Sequence, residues 1–350
     1  MPVDAAVPVP RRVFVSGANG FIGRALLHRY RQLGAAVCGM DVRADPAWDV
    51  VAGDLGAPGP WQAHARGSDL VVNTAAVVSN VAAPALYRRI SVAGVRHMID
   101  AAVAGGAQRV LHVSSCGAYG WHHTDEADER APITVLSGSS YQDAKAASEH
   151  PLLAAHAAGE IAGTIVRPSD VYGPGSRPWV LLPLEMIRAG RFLLPAHGRG
   201  LLNPVYVDDL VDGIVRAAGL AAGAGHIFNL SGGQPVATAE FFAHHVRWAG
   251  RVGAPRCVST ATAVRLTRLM QLAGRLRGRP SEASPQTMLM LSKQAGVSIE
   301  KARRRLGYAP RVALADGMRR TEDWLRAAGL LAAAGRGAVS TAAPPSAGRR

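Results

Sequence analysis

Lysine is nearly missing from this chain of 350 residues. Lys145, Lys293 and Lys301 are all of it, although Lys and Arg together number 39, so almost every cation is a planar, permanently charged guanidinium. Cysteine is as scarce. Cys38, Cys116 and Cys257 are odd in number and widely spaced, which excludes a disulfide framework and a zinc site of close-set thiols and points to a reducing cytoplasm. Aromatic residues make up only 5%, too few for the stacking platforms that bind single-stranded nucleic acid. No apolar run approaches the roughly 18 residues of a membrane span. The proline-rich N-terminus lacks the basic-then-apolar order of a secretion signal. What remains is 48% hydrophobic and 18% charged, the balance of a globular enzyme with an ample core.

Acids are in the minority, and the net charge is +14. Much of that excess is local: from Arg247 to Arg279 the sequence carries eight arginines and no acid. Within this stretch Leu266, Leu269, Met270, Ala273 and Leu276 recur at helical spacing. Two readings compete for 262–279: a basic amphipathic helix in weak contact with a membrane surface, or an ordinary cap helix whose apolar stripe faces a core. The second is preferred, because most such stripes are buried.

Short apolar runs alternate with helical patterns through the first half of the chain. Strands are expected at 12–16, 36–41, 50–54, 70–75, 109–114 and 163–167, with helices at 21–33, 85–105 and 140–158. That alternation implies an α/β fold, a Rossmann-type doubly wound parallel sheet. From about residue 174 glycine, proline and arginine break the rhythm, and a smaller C-terminal cap is expected over the ends of the strands. The division is a tail at 1–10, a cofactor domain at 11–175 completed by 205–232, a substrate-binding region at 176–204 and 233–330, and a low-complexity tail at 331–350.

Gly17, Gly20 and Gly23 lie between the first strand and the first helix, the setting a dinucleotide fingerprint requires. They permit a tight turn, close approach to a pyrophosphate and close helix packing, with the pyrophosphate at the positive helix end. Asp41, at the end of the second strand, is placed to accept from ribose hydroxyls and to repel a 2′-phosphate. The cofactor reading is therefore NAD, with NADP second because Arg43 can pair with that phosphate. Asp54, after the third strand, is read either as an adenine contact or as a strand-end turn residue.

One of the three lysines stands four residues after a tyrosine, in Ser-Ser-Tyr141-Gln-Asp-Ala-Lys145. Residues four apart share a helix face. An ammonium there is expected to favour the phenolate and bring its pKa down toward neutrality, giving Tyr141 a proton to exchange with an alcohol.

Taken together, Gly-Ala-Asn-Gly-Phe-Ile-Gly at 17–23, Ser-Ser115-Cys-Gly-Ala-Tyr119, Tyr141 with Lys145, and Arg167-Pro168-Ser-Asp170-Val-Tyr172-Gly-Pro resemble the extended short-chain dehydrogenase/reductases, the NAD-dependent epimerase/dehydratase family. Segments around Asp208, Asn229 and 298–310 extend the likeness to about Leu330. The resemblance implies a catalytic set of Ser115, Tyr141 and Lys145, with Lys145 also reaching the nicotinamide ribose. It adds Asn19, Phe21, Ile22, Leu55, Ala75 and Pro168 to the cofactor contacts. It also implies pairing through two helices into a homodimer. Two departures narrow the reaction, and a third, at Ser91, stands beside them. Ser115-Cys116-Gly117 replaces the Thr-Asp-Glu of the dehydratases, Asp170 stands where many sugar-nucleotide members have asparagine near the diphosphate, and Ser91 replaces a frequent asparagine.

The expected activity is hydride transfer between NAD and a secondary alcohol or ketone, sterol-like or flavonoid-like, an assignment that leans on the apolar stretches 179–184 and 193–203 and on Asp170. A nucleotide-sugar epimerase with tightly held NAD is the alternative, and a non-catalytic NAD sensor the third reading. The partner is a small molecule, and no nucleic acid is expected. Other constellations are read as structural: the loop His122-His123-Thr-Asp125-Glu126-Ala-Asp128-Glu129 as solvated rather than metal-binding, Cys116 as a small core residue, His112 as a satisfied core histidine, and Asp208 and Asp209 as helix N-terminal acids.

Overall fold

In the computed structural model, which describes residues 7–79, 81–121, 123–134, 136–276, 278 and 284–331, the alternating first half builds a parallel sheet. Its strands are β1 (Arg12–Ser16), β2 (Ala36–Asp41), β3 (Val50–Ala52), β4 (Leu70–Asn73), β5 (Arg109–Val113) and β6 (Ala162–Pro168), and a late strand, β10 (Ile227–Leu230), joins the edge beside β6. The order β10-β6-β5-β4-β1-β2-β3 makes seven strands. It reverses between β1 and β4, and that reversal opens a crevice at the carboxyl ends of the strands.

Because both faces are covered, the strands read as continuous apolar runs. In β1 the alternation sends Val13 and Val15 to one core and Phe14 to the other. The first core lies under α1 (Phe21–Gln32), α7 (Val207–Gly219) and the cap. The second lies under α2 (Trp61–His64), α4 (Gly94–Ala104) and α5 (Ser140–Ala157). The expected helix at 85–105 is broken into α3 (Pro84–Tyr87), a π turn at Arg88–Ala93 and α4. The π turn is where Ser91 turns inward and accepts the Val77 N–H.

The cap is made of β7 (Asp170–Tyr172), α6 (Leu182–Arg188), β8 (Leu201–Leu202), β9 (Pro204–Tyr206), β11 (Val236–Ala237), α8 (Thr238–Trp248), α9 (Thr260–Leu276), α10 (Pro285–Met290), α11 (Glu300–Leu306) and α12 (Leu314–Ala327). β7 pairs with β9 outside the main sheet. The apolar stretch at 179–184 fills this region's own core: Trp179 packs on Phe241 and Phe242, and Val180 and Leu184 are buried. It therefore does not speak for an apolar substrate. The preferred reading of α9 is also overturned. Ala263 and Thr267 face inward, whereas Leu266, Leu269, Met270, Leu272 and Leu276 are exposed. At about 100° per residue the small residues occupy one side and Leu269, Leu272 and Leu276 the other.

Residues 7–10, expected as part of a tail, lie against α7 through Val7. The rest of that tail, and the C-terminal tail beyond Leu331, lie outside the described residues.

Candidate active site

The residues singled out from the sequence gather at the carboxyl ends of the strands. The turn after β1 is held by Gly17 and Ala18, whose N–H groups donate to the Met40 carbonyl at 3.0 and 3.2 Å. Gly17 adopts φ +71°, and a Cβ there would stand 2.8 Å from the Ala75 nitrogen, so the crossing of the two strand ends admits only glycine. At Gly23 a Cβ would fall 2.1 Å from the Gly17 carbonyl oxygen, which lets α1 start close on the turn, with Gly20 at its N-cap. Phe21 and Ile22 open the helix, half-buried.

Asp41 ends β2 with one carboxylate oxygen on the Asn19 N–H at 2.9 Å and the other on the Val42 N–H at 2.7 Å. The acid therefore ties the second strand to the glycine turn while facing the same crevice. The Arg43 side chain is exposed, and its carbonyl accepts from the Asn19 amide at 2.7 Å. Asp54 is exposed, accepts the Gly56 N–H at 2.8 Å and pairs with Arg89 at 2.5 Å, the behaviour of a strand-end turn acid. Leu55 beside it is buried, as is Pro168 at the end of β6, and Ala75 is half-buried. A glycine cradle that any side chain would fill, beside a helix N-terminus and a strand-end acid, fits a dinucleotide.

Next along the crevice come Ser115, Tyr141 and Lys145. Ser115 follows β5 and caps a short turn, its Oγ accepting the Gly117 N–H at 3.0 Å. α5 begins one residue before Tyr141, with the Ser139 hydroxyl capping the Gln142 N–H. The Ser115 hydroxyl acts on the Tyr141 phenol, lowering its pKa, and Gly117 lies beside both residues, its hypothetical Cβ 3.2 Å from Ser115 Oγ and 3.5 Å from Tyr141 Cε1.

The electrostatics differ from the expectation. The Tyr141 phenol is pushed above its ordinary value, not below it. Burial is the first cause; the Ser115 hydrogen bond opposes it, and Tyr87, Asp170 and Cys116 add to the rise. Lys145 does not supply the expected acidification because its ammonium is turned onto the Val113 carbonyl at 2.8 Å. Burial lowers the lysine itself to about 8, against the attraction of Glu149.

Glu149 went unnoticed in the sequence, although it continues the series 141, 145, 149 along one face of α5. It is buried and receives Arg167 through two bonds, Nε at 2.8 Å and Nη2 at 2.6 Å, and the Ser114 hydroxyl at 2.6 Å. Arg167 in turn lies over the Tyr119 ring, 4.7 Å from its centroid, and the Tyr119 hydroxyl donates to Asn229 at 2.8 Å. A second buried chain runs from Ser16 through Asn73 and His112 to Ser148, at 2.6, 3.2 and 2.9 Å, and ends on the Lys145 carbonyl at 2.8 Å. His112 is thus the satisfied core histidine expected, kept neutral by burial and by Lys145. Cys116 is a buried core thiol, raised to about 12 by burial.

Asp170 is buried at the same end of the site. One of its carboxylate oxygens accepts the Asn203 N–H at 2.7 Å. Asp208 and Asp209 lie in the first turn of α7, and Asp209 accepts the N–H groups of Arg311 and Val312 at 3.0 Å each. The acidic loop is structural where it is described: Asp125 accepts the Gly296 N–H and Glu129 the Asn229 N–H, both at 2.7 Å. His122 lies outside the described residues. Far from this site, Cys38, Asp49 and His64 bring one donor atom each within 4.8 Å, but the Arg12 guanidinium acts on the Cys38 sulfur and opposes a cation. No described helix is long and apolar enough to cross a membrane.

Known proteins match this arrangement. The chain is 27% identical over 274 residues to 3beta-hydroxysteroid-dehydrogenase/decarboxylase isoform 1 of Arabidopsis thaliana, a match covering 74% of this chain and 62% of that protein, less than two thirds of its length. It is 30% identical to the 2-alkyl-3-oxoalkanoate reductase of Stenotrophomonas maltophilia, over 88% of this chain and 98% of that one. Among solved structures, MoeE5 in complex with UDP-glucose and NAD shares the fold at a TM-score of 0.71 and 23% identity, over 91% of this chain and 99% of that one. Residues 13–231 match the family described as NAD dependent epimerase/dehydratase, and the chain belongs to that family as an NAD-dependent enzyme.

Proposed function

We propose that the chain is an oxidoreductase that interconverts a ketone and a secondary alcohol, and that its site is set for reduction. What supports this reading is the grouping of Ser115, Tyr141 and Lys145 at the carboxyl ends of the strands beside the dinucleotide cradle, with Cys116 and Gly117 where water elimination needs an acid pair. A phenol held above its ordinary value keeps its proton at neutral pH, and ketone reduction needs a proton donor at the oxygen while hydride arrives at the carbon. NAD, when bound in its reduced form, supplies that hydride. Ser115 Oγ, which accepts the Gly117 N–H, keeps its own proton to donate to the substrate oxygen as negative charge develops there. Tyr141 passes its proton to that oxygen and is left as phenolate. Lys145, charged below a pKa of about 8, swings from the Val113 carbonyl that holds it before reaction to steady that phenolate.

Asp170 supports a neutral substrate over a nucleotide sugar. It adds to the negative potential at Tyr141, and a diphosphate at that end of the site would meet its carboxylate. The exposed Arg177 and Arg188 are spent elsewhere, on Glu185 and on the Leu330 carbonyl. The two relatives bear names for chemistry at a hydroxysteroid and at a 3-oxoalkanoate, and both support this substrate class.

The test is a panel of ketones, hydroxysteroids and nucleotide sugars, read by consumption or release of NADH. A ketone reductase oxidises NADH in proportion to product. Sugar epimerisation with no change in free NADH would refute the reading. Tyr141→Phe should cost roughly two to four orders of magnitude in turnover while NAD still shifts the melting temperature; turnover retained in that variant refutes the role of Tyr141.

A further inference from the structure

The exposed stripe on α9 has no counterpart in the chemistry above. α9 is a helix of 17 residues that rests on the cap through Ala263 and Thr267; its opposite side carries Leu269, Leu272 and Leu276 in the open, with Leu266 and Met270 exposed at its flank. Leu269 is 63% exposed and Leu276 81%, an arrangement that costs free energy in water unless something covers it. Arg265 and Arg268 are exposed beside the stripe, and the surrounding sequence from Arg247 to Arg279 holds no acid. A leucine stripe with arginines beside it and no acid in the surrounding sequence complements anionic headgroups over an apolar interior.

We propose that α9 docks the enzyme on an anionic phospholipid surface. The leucines enter the upper acyl region while Arg265 and Arg268 pair with headgroup phosphates. The proposal stands apart from the reading of Tyr141, since it requires no catalytic chemistry. α9 packs on α10, and Gln286 of α10 reaches Gly138, where a Cβ would stand 3.2 Å from its side-chain nitrogen. Gly138 is three residues before Tyr141, so α10 links α9 to the loop that enters the catalytic helix.

The experiment is vesicle flotation with the full chain, using phosphatidylcholine alone and phosphatidylcholine mixed with phosphatidylglycerol. The expected result is binding to the mixed vesicles, weakened by salt, and none to phosphatidylcholine alone. Arg265→Gln with Arg268→Gln should weaken binding about fivefold per arginine. Leu269→Ser with Leu276→Ser, which leaves every charge in place, should weaken it about a hundredfold or more, on the order expected for losing two buried leucines. Both pairs are exposed, so an unchanged denaturation midpoint is the control; if the double leucine variant misfolds, Leu276→Ser alone decides. Three results would overturn the proposal: no binding to either vesicle, binding indifferent to the leucine pair, or a dimer in solution that the leucine pair dissociates. The last would show that a second copy covers the stripe.

Discussion

The buried pair of Glu149 and Arg167 offers the sharpest energetic test of the site's construction. Their side chains are 2% and 3% exposed, so Glu149→Gln leaves a guanidinium in the interior without its counter-charge, facing an amide that can replace only part of the two-bond contact. One-sided loss of a buried pair costs about 3–5 kcal/mol. Arg167→Leu should cost a similar amount, because it strands the carboxylate with the Ser114 hydroxyl as its remaining partner. Replacing both, Glu149→Leu with Arg167→Leu, removes the stranded charge as well, and buried pairs exchanged for apolar residues are often neutral or better. The double variant should therefore lie within about 2 kcal/mol of wild type and fall far short of the sum of the singles. Urea denaturation followed by circular dichroism and by fluorescence reports these differences, provided that the two probes agree on one transition. A Glu149→Gln cost below about 1 kcal/mol, or strict additivity in the double variant, would refute the claim that the pair is a coupled buried unit.

Three further expectations follow from the same geometry. Asp170→Asn removes the negative charge near Tyr141 while keeping an acceptor for the Asn203 N–H; binding of nucleotide sugars, measured by thermal shift, should strengthen at least several-fold, and unchanged binding would remove Asp170 from substrate selection. Lys145 titrates at about 8 and is charged below that value, so the turnover rate for reduction should fall as pH rises through it, and Lys145→Met should lack that limb. His245 is lowered to about 4 by burial. Its folded value lies below its unfolded one, so its contribution is complete above about pH 6.5 and is lost toward pH 4, roughly 1.4 kcal/mol per pH unit; His112 acts in the same direction. Urea midpoints compared at pH 7 and pH 5 test this, and a flat profile would contradict it.

The sheet was legible because parallel strands buried on both faces must be apolar runs, and such runs at 12–16, 36–41 and 109–113 have few alternative uses. The glycine turn was legible because close approach leaves no side chain a place, as the 2.1 Å at Gly23 makes plain. The cap was harder. Trp179 and Leu184 read as a substrate surface, yet they fill a core with Phe241 and Phe242, partners more than fifty residues away that local spacing does not reveal. α9 was misread for the converse reason: helical periodicity shows that a stripe exists, and only the packing of Ala263 and Thr267 shows which side faces inward. The Tyr141 pKa could not be read from spacing either. Four residues place Lys145 on the right face, but its long chain can reach Val113 as readily as the phenol, and burial then sets the sign.

Helix α5 shows how one face can serve three tasks. At intervals of four residues it presents a hydroxyl to Ser115, an ammonium to the last carbonyl of β5 and a carboxylate to Arg167 of β6. The lower two contacts anchor the helix across the ends of two adjacent strands, and the Ser16–Asn73–His112–Ser148 chain fastens the same turn to β1. A proton donor must be held within a few tenths of an ångström of its acceptor to be effective, and a tyrosine in the first turn of a helix would fray without such support. The buried polar groups beneath Tyr141 thus have a positional use that offsets their desolvation. The expected signature is kinetic: Glu149→Gln, even where it remains folded, should lower the rate of turnover more than it raises KM, because Tyr141 loses its fixed position while the surfaces that bind substrate stay intact.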